Sequence, residues 1–154
     1  MSEIRKRLAD MGLELPTPPT PIANFVPYTI VGSFVFLAGQ VNEWNGTVPY
    51  VGKLGRDFDV TTGQAAARLC ALNLLSCLEL ATGGNLDRIA RCVRLGGFVN
   101  CVEGFVEVPQ VVNGASDLMV QLWGDGGRHA RTAVGVMSLP RGAAVEVEGI
   151  FELE

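Results

Sequence analysis

The sequence has few charged residues and no long hydrophobic run. Charged residues make up 18% of the 154 residues and hydrophobic residues 48%, whereas a typical soluble domain is about 25% charged. No segment approaches the roughly 18 consecutive apolar residues that a membrane-spanning helix needs. The mixed charges of residues 1–7 do not form a secretory signal. We therefore expect a cytoplasmic protein of one domain, in which something other than lipid covers the apolar excess.

Basic clusters, cysteine pairs and histidines are also scarce. The 12 Lys and Arg residues stand against 16 Asp and Glu, giving a formal net charge of -4. An acidic chain without a basic cluster argues against nucleic-acid binding, because phosphate neutralisation needs clustered cations. The four cysteines are Cys70, Cys77, Cys92 and Cys101. They form no C-x-x-C pair and only one histidine could join them at a metal, so we interpret them as small buried hydrophobic residues.

Motifs that identify common enzyme classes are absent. The sequence contains no Walker loop, no G-x-G-x-x-G, no G-x-S-x-G and no H-E-x-x-H. The glycine-rich stretch at 126–129 follows a predicted helix instead of preceding one, so it cannot form a phosphate-binding helix N-terminus. A Ser-His-Asp site would depend on His129, the only histidine, and we set that hypothesis aside. For His129 we expect a hydrogen bond that caps the loop, or else a position at the mouth of a ligand cleft.

Hydrophobic periodicity and turn residues predict an α+β domain with the element order β-β-α-β-α-β-β. The predicted strands span residues 25–31, 34–41, 89–99, 131–139 and 144–153. A long helix capped by Thr61 or Thr62 runs to about Ala81, and a second helix has Pro109 in its first turn and ends at Gly124. We expect a mixed sheet with two helices packed on one face, which leaves the other face without helical cover.

Residues 1–20 precede this domain, which we place at 21–154. Ser2 is a suitable cap for a short amphipathic helix over residues 2–11. The proline-rich stretch 16–21 is unsuited to a helix or a central strand, so we predict an extended arm there. We expect this arm to cover an edge of the domain or to pack over a neighbouring subunit.

The last two predicted strands carry the residues best suited to chemistry. Alternation places Arg131 on one face with the small residues Ala133 and Gly135, which leaves room for a ligand. We expect the turn at 140–142 to close a hairpin of these two strands, so the returning strand brings its alternating carboxylates, Glu146, Glu148 and Glu152, near this arginine. An arginine fork is suited to a carboxylate, and a glutamate can hold or deprotonate a water. The alternative that alternation alone favours is an Arg-Glu cross-strand salt bridge on a solvated face.

The same segment resembles the signature of the Rid/YjgF superfamily, the reactive-intermediate deaminases. Members carry an A-R-S/T element, then L-P, then V-E-hydrophobic-E, and residues 129–148 read H-A-R-T-A-V-G-V-M-S-L-P-R-G-A-A-V-E-V-E. Ala38-Gly39-Gln40 matches the S/A-G-Q element of the family, and Asn73-Leu74 is a further match. The resemblance spans about residues 25–151. The stretches 113–118 and 127–131 mark a less-characterised branch.

The resemblance implies a chorismate-mutase-like (YjgF-like) protomer in a homotrimer, with ligand clefts between adjacent subunits. Characterised members hydrolyse imines of amino acids to 2-oxo acids and ammonia. By position, Arg131 would bind the carboxylate of a small metabolite with help from the Gly39 backbone N–H, and Glu146 would orient the attacking water. These two side chains are thus the expected catalytic residues, and neither a metal nor an organic cofactor is implied.

Two positions depart from the best-known deaminases of this family. Phe25 stands where they have a tyrosine, and Ala38 stands where they have a serine. Each missing hydroxyl removes a hydrogen bond to a charged ligand, worth about 1.5–3 kcal/mol. Tyr28, three residues on, is a candidate to replace the phenol, although alternation puts it on the opposite face of the strand from Phe25. The first hypothesis is an enamine/imine deaminase. The alternative is a non-catalytic trimeric binder of small carboxylates, which the two missing hydroxyls favour. An endoribonuclease is a minor hypothesis, and the acidic composition opposes it.

Overall fold

The structure is a computed structural model that describes residues 1–154, and its elements follow the predicted α+β order. Three helices span Glu3–Asp10 (α1), Val60–Ala81 (α2) and Val108–Trp123 (α3). Five strands span Tyr28–Val31 (β1), Phe34–Val41 (β2), Ile89–Asn100 (β3), Ala130–Val136 (β4) and Val145–Leu153 (β5). None of the helices is long and apolar enough to cross a membrane.

Three element boundaries differ from those that the sequence predicts by several residues or by their capping residue. β4 ends at Val136 instead of residue 139, because its partner β3 ends at Asn100, which pairs with Val136. β1 begins at Tyr28 instead of residue 25, because Pro27, which has no backbone N–H to donate, ends the preceding irregular segment. The N-cap of α2 is Asp59, whose carboxylate accepts a hydrogen bond from the backbone N–H of Thr62 at 2.8 Å. The predicted cap at Thr61 or Thr62 is therefore wrong. A carboxylate is a favourable acceptor at the positive end of a helix dipole, and the same hydrogen bond lowers the pKa of Asp59.

The five strands form one sheet in the order β1-β2-β5-β3-β4. β3 and β4 are parallel, and the other neighbouring pairs are antiparallel. β4 and β5 therefore do not form the hairpin that the sequence suggests. Parallel strands need a crossover connection, which α3 supplies between β3 and β4. The chain then passes through a tight turn at Pro140–Gly142 to reach the other side of β3.

α2 and α3 pack on one face of the sheet and enclose the hydrophobic core. α2 is buried over most of its circumference, as its narrow polar stripe predicts. The two helices approach closely at Gly114 of α3, where an added Cβ would overlap the carbonyl oxygen of Gln64 in α2. Only a glycine leaves room for this contact between the two backbones.

Replacing Gly114 with Ala should therefore destabilise the fold by about 1–3 kcal/mol, because the extra methyl group forces the two helices apart. Helix propensity alone predicts the opposite sign, since Ala favours a helix over Gly by about 1 kcal/mol. Urea denaturation of Gly114→Ala and of the exposed Asp117→Ala control in the same helix tests this prediction. A rise in stability for Gly114→Ala would contradict the close approach.

The N-terminal segment packs against the same core. Ser2 caps α1 as predicted, its side chain accepting from the backbone N–H of Arg5, and the helix buries Ile4 and Leu8 among the core residues. The arm that follows is held by two hydrogen bonds. Ser76 Oγ donates to the carbonyl of Pro16 at 2.7 Å, and the backbone N–H of Thr17 donates to Asn45 Oδ1 at 2.7 Å. The arm then runs along the end of β2 toward β1.

The other face of the sheet has no helical cover, as expected. Several of its large apolar side chains are exposed. They are Val31, Phe34, Phe36 and Val134. Glu146 and Glu148 of β5 lie on this same open face, since Gly39 and Gly96 of the adjacent strands face their carboxylates. The open face thus combines an apolar surface with two neighbouring carboxylates.

Candidate functional site

A cavity of about 370 Å³ lies where the arm, the end of β2 and the start of β5 meet. One wall is apolar and consists of Phe25 and arm residues 19–23. The opposite wall carries Gly39, Arg141 and Glu146. A bulge in the pairing of β2 with β5, between Leu37 and Gln40, shapes this wall. The volume is at the lower end of the range for small-molecule sites.

Glu146 is the side chain in this cavity that is best suited to catalysis. It is half-buried and forms no hydrogen bond or ion pair within the chain. Burial raises the pKa of its carboxyl, and the neighbouring Glu148 carboxylate raises it further. Gly39 makes this position possible, because any Cβ there would overlap Glu146 Oε1. A carboxylate with a raised pKa at the wall of a small cavity is suited to taking a proton from a bound water.

Three of the five site residues expected from the sequence meet in this cavity. Phe25, Gly39 and Glu146 line it together. Ala38 lies next to it, on a shallow surface that Phe25 shares, and its backbone N–H donates to the carbonyl of Pro27 at 3.0 Å. Neither Phe25 nor Ala38 brings a hydroxyl to the site, so its polar groups come from other elements.

Arg131 lies elsewhere in the same chain, which corrects the expectation that the last two strands bring it near Glu146. It pairs in register with Leu95 of β3 on the helix-covered face, whereas Glu146 pairs with Phe98 on the open face. β3 separates the two side chains, and they point to opposite sides of the sheet. Arg131 forms no ion pair, so the alternative of an Arg-Glu cross-strand salt bridge is also wrong.

The partners of Arg131 are on α3. Its Nη1 donates to Asn113 Oδ1 at 2.8 Å and to Ser116 Oγ at 3.2 Å. His129 lies beside this group, with Nδ1 2.7 Å from the carbonyl of Gly127 and Nε2 2.9 Å from Ser116 Oγ. The first contact is the loop-capping hydrogen bond expected for His129. Burial lowers the pKa of the imidazole, and the nearby Arg131 cation lowers it further, while the bond to Gly127 acts in the opposite direction.

The cation that shares the cavity with Glu146 is Arg141, which sequence reasoning did not single out. It sits in the left-handed backbone region with φ 59° in the turn before β5. Its guanidinium donates to Glu43 Oε1 at 2.6 Å and to the carbonyl of Gly46 at 2.7 Å. The only sequence signal was its place between Pro140 and Gly142, which marks a turn. Arg141 forms an ion pair with Glu43, so its charge is compensated within the chain.

No group of three or more His, Cys, Asp or Glu side chains is placed to hold a metal ion. The four cysteines are free thiols, and Cys70, Cys77 and Cys92 are buried, as interpreted from their spacing. Burial raises the pKa of Cys77 to about 11 and that of Cys92 to about 12. The thiols of Cys77 and Cys92 are thus kept protonated, and both serve as core residues.

Comparison with known proteins agrees with this architecture. Residues 5–148 match the family described as "YjgF/chorismate_mutase-like, putative endoribonuclease". Protein TCP17 of Trypanosoma cruzi is 44% identical over 97% of this chain and 94% of its own length. The crystal structure of Atu1372 from Agrobacterium tumefaciens, a protein of unknown function, has 44% identity and a TM-score of 0.92, covering 98% of this chain and 92% of that one.

A structure from Shewanella oneidensis, described as a "putative endoribonuclease", has 37% identity and a TM-score of 0.93. It covers 97% of this chain and 99% of that one. The family match and these relatives extend over nearly the whole chain, including α1 and the arm. The chain belongs to the YjgF/Rid superfamily.

Proposed function

We propose that this protein is an enamine/imine deaminase, which hydrolyses small 2-imino acids to 2-oxo acids and ammonia. The observation that carries the proposal is the state of Glu146. It is a half-buried carboxylate with a raised pKa and no partner within the chain, at the wall of a cavity of substrate size. A carboxylate in this state is a good general base for a water molecule.

The reaction needs one water and three proton transfers. Glu146 takes a proton from the water as its oxygen adds to the carbon of the protonated imine, forming a carbinolamine. The carboxyl of Glu146 then returns this proton to the nitrogen, the C–N bond breaks, and ammonia leaves. The Glu146 carboxylate, now ionised again, takes the hydroxyl proton of the carbinolamine as the C=O bond of the 2-oxo acid forms, and then releases it to solvent. The residue acts as base and then as acid, for which a pKa above that of an ordinary carboxyl is favourable.

The proposal requires Arg131 to hold the carboxylate of the substrate. Arg131 and Glu146 lie on opposite faces of the sheet in one chain, so one chain cannot bring both to one small molecule. A second copy must supply the missing half of the site. The exposed apolar side chains of the open face, Phe34, Phe36 and Val134 among them, give such a copy a surface to cover. We therefore include a homotrimer, with clefts between subunits, in the proposal.

The test is the release of a 2-oxo acid from imines generated in the assay by an amino-acid oxidase. The wild-type protein should accelerate release. Arg131→Ala should raise KM, because the carboxylate loses its charged partner, and Glu146→Gln should lower kcat. Glu152→Gln, at the far end of β5, is the matched control and should behave as wild type. No acceleration for imines of several amino acids would overturn the proposal.

A non-catalytic binder of small carboxylates is the second candidate. It is favoured by Phe25 and Ala38, which bring no hydroxyl to the cavity. Calorimetric titration with a 2-oxo acid distinguishes the two. Binding that is lost in Arg131→Ala, together with an absence of turnover in the wild type, would replace the deaminase by the binder.

An endoribonuclease is the third candidate, and its support is the description of the family and of the Shewanella structure. The net charge of -4 and the absence of a basic cluster argue against a surface for RNA. We therefore expect no cleavage of a single-stranded RNA oligonucleotide by the purified protein. Cleavage that disappears in both Arg131→Ala and Glu146→Gln would establish this function instead.

A further inference from the structure

Arg131 is the first member of a continuous series of hydrogen bonds between α3 and β4. Its Nη1 reaches Ser116 Oγ at 3.2 Å, Ser116 Oγ is 2.9 Å from His129 Nε2, and His129 Nδ1 is 2.7 Å from the carbonyl of Gly127. Asn113 Oδ1 also accepts from Nη1, at 2.8 Å. We refer to Ser116 and His129 as the relay.

The direction of each hydrogen bond in the relay follows from its fixed end. A backbone carbonyl can only accept, so the bond to Gly127 places the proton of the imidazole on Nδ1. Burial and the nearby Arg131 cation lower the pKa of His129, which favours the neutral ring with Nε2 as an acceptor. The hydroxyl of Ser116 must then donate to Nε2, and its oxygen is free to accept from Arg131. The carbonyl of Gly127 thus sets the orientation of the whole series.

This arrangement leaves one edge of the Arg131 guanidinium unused. Both of its hydrogen bonds leave from Nη1, and Nε and Nη2 bond to nothing within the chain. These two nitrogens form the edge that binds a carboxylate through two parallel hydrogen bonds. No carboxylate of the chain is paired with Arg131. The guanidinium is therefore fixed through Nη1, and its Nε and Nη2 groups remain available to bind a carboxylate.

We propose that Ser116 and His129 position Arg131 for the substrate carboxylate, an inference that rests on the proposed function. A free arginine side chain loses much rotamer freedom when it binds a ligand. Holding Nη1 in advance removes part of that loss, which is the general benefit of a preorganised site. Ser116 and His129 are positioning residues, because they act on the substrate through Arg131.

Kinetics of single variants test the relay. Ser116→Ala should raise KM for a 2-imino acid by about tenfold while kcat changes by no more than about twofold, because the carboxylate contact is weakened and the water at Glu146 is not. His129→Asn should give the same pattern, since the shorter amide does not reach Ser116. Ser116→Thr keeps a hydroxyl at this position, so its KM should stay close to the wild-type KM. The exposed Asp117→Ala in the same helix is the control.

A second measurement shows whether the effect passes through Arg131. In titrations of wild type with 2-oxobutanoate and with its methyl ester, the acid should bind more tightly, and Ser116→Ala should lose most of this preference. If Ser116→Ala and His129→Asn keep the wild-type KM and preference while Arg131→Ala loses both, the relay is structural only and the inference fails. That result leaves the deaminase intact. If wild type and Arg131→Ala bind the acid equally, the proposed role of Arg131 fails, and the relay inference fails with it.

Discussion

Replacing Glu146 with Gln should reduce imine hydrolysis by about 10²–10⁴-fold, the usual contribution of a general base, and should make the protein more stable at neutral pH. Burial and the neighbouring Glu148 raise the pKa of Glu146, which means that the folded protein opposes its ionisation. A neutral amide of nearly the same shape carries no charge, so the free-energy cost of holding an ionised carboxylate at this position is removed. The variant should therefore lose activity and gain thermal stability together.

The gain in stability should depend on pH in a defined direction. Because the pKa of Glu146 is higher in the folded state than its ordinary value of 4.5, the folded state binds the proton more tightly than the unfolded state. This tighter proton binding stabilises the folded wild type fully at a pH below 4.5, and the stabilisation is lost as the pH rises through the folded pKa. The difference in Tm between Glu146→Gln and wild type should thus be largest at neutral pH and should shrink in acid.

Thermal unfolding of wild type, Glu146→Gln and the control Glu152→Gln, at neutral and acidic pH, measures this difference. A Glu146→Gln protein that is inactive but less stable than wild type at pH 7 would show that the carboxylate has a structural partner. A Glu146→Gln protein that keeps its activity would show that Glu146 takes no part in the reaction.

Local patterns in the sequence predicted much of the fold correctly. Ser2 caps α1 as expected, α3 begins around Pro109 and ends at Gly124, and the long apolar α2 is buried. These features depend on residues a few positions apart, so the sequence contains them directly. The cap at Asp59 is also local, and an aspartate just ahead of the helix was the signal for it.

The partner of each strand could not be obtained in the same way. Alternation correctly places Arg131, Ala133 and Gly135 on one face of β4, and Glu146 and Glu148 on one face of β5. It contains no information on which strand lies between them, because pairing is decided by α3 and the core across the whole chain. The sequence therefore named three residues that line the cavity, Phe25, Gly39 and Glu146. It placed Arg131 beside Glu146, whereas β3 separates them.

The relay was missed for a related reason. Ser116 and His129 are 13 positions apart and lie on different elements, so no spacing rule connects them. One signal was present, since His129 and Arg131 are two residues apart and alternation puts them on one face of a strand. In the structure Ser116 joins the two, because its hydroxyl hydrogen-bonds to both His129 and Arg131.

Mixed oligomers provide the strongest test of a site shared between subunits. At a substrate concentration well below the KM of Arg131→Ala, the Arg131→Ala and Glu146→Gln proteins are each expected to show little activity alone, because every site lacks one of the two groups. When the two variants are co-expressed with different tags and purified as mixed trimers that carry both tags, activity should return to about a third of the wild-type value. A mixed trimer has two subunits of one variant and one of the other, so one of its three clefts combines an intact arginine with an intact glutamate.

The mixed oligomers also distinguish this arrangement from a site within one chain. If Arg131 and Glu146 acted together in the same subunit, every site of the mixture would still carry one defect, and activity would stay at the level of the single variants. A wild-type protein carrying both tags controls for the effect of the tags, and a mixture of Arg131→Ala with Glu152→Gln controls for dilution. Recovery requires the two faces of the sheet, which β3 keeps apart in one chain, to meet across a subunit boundary. The open apolar face of the sheet would then be covered by the same contact that completes the site.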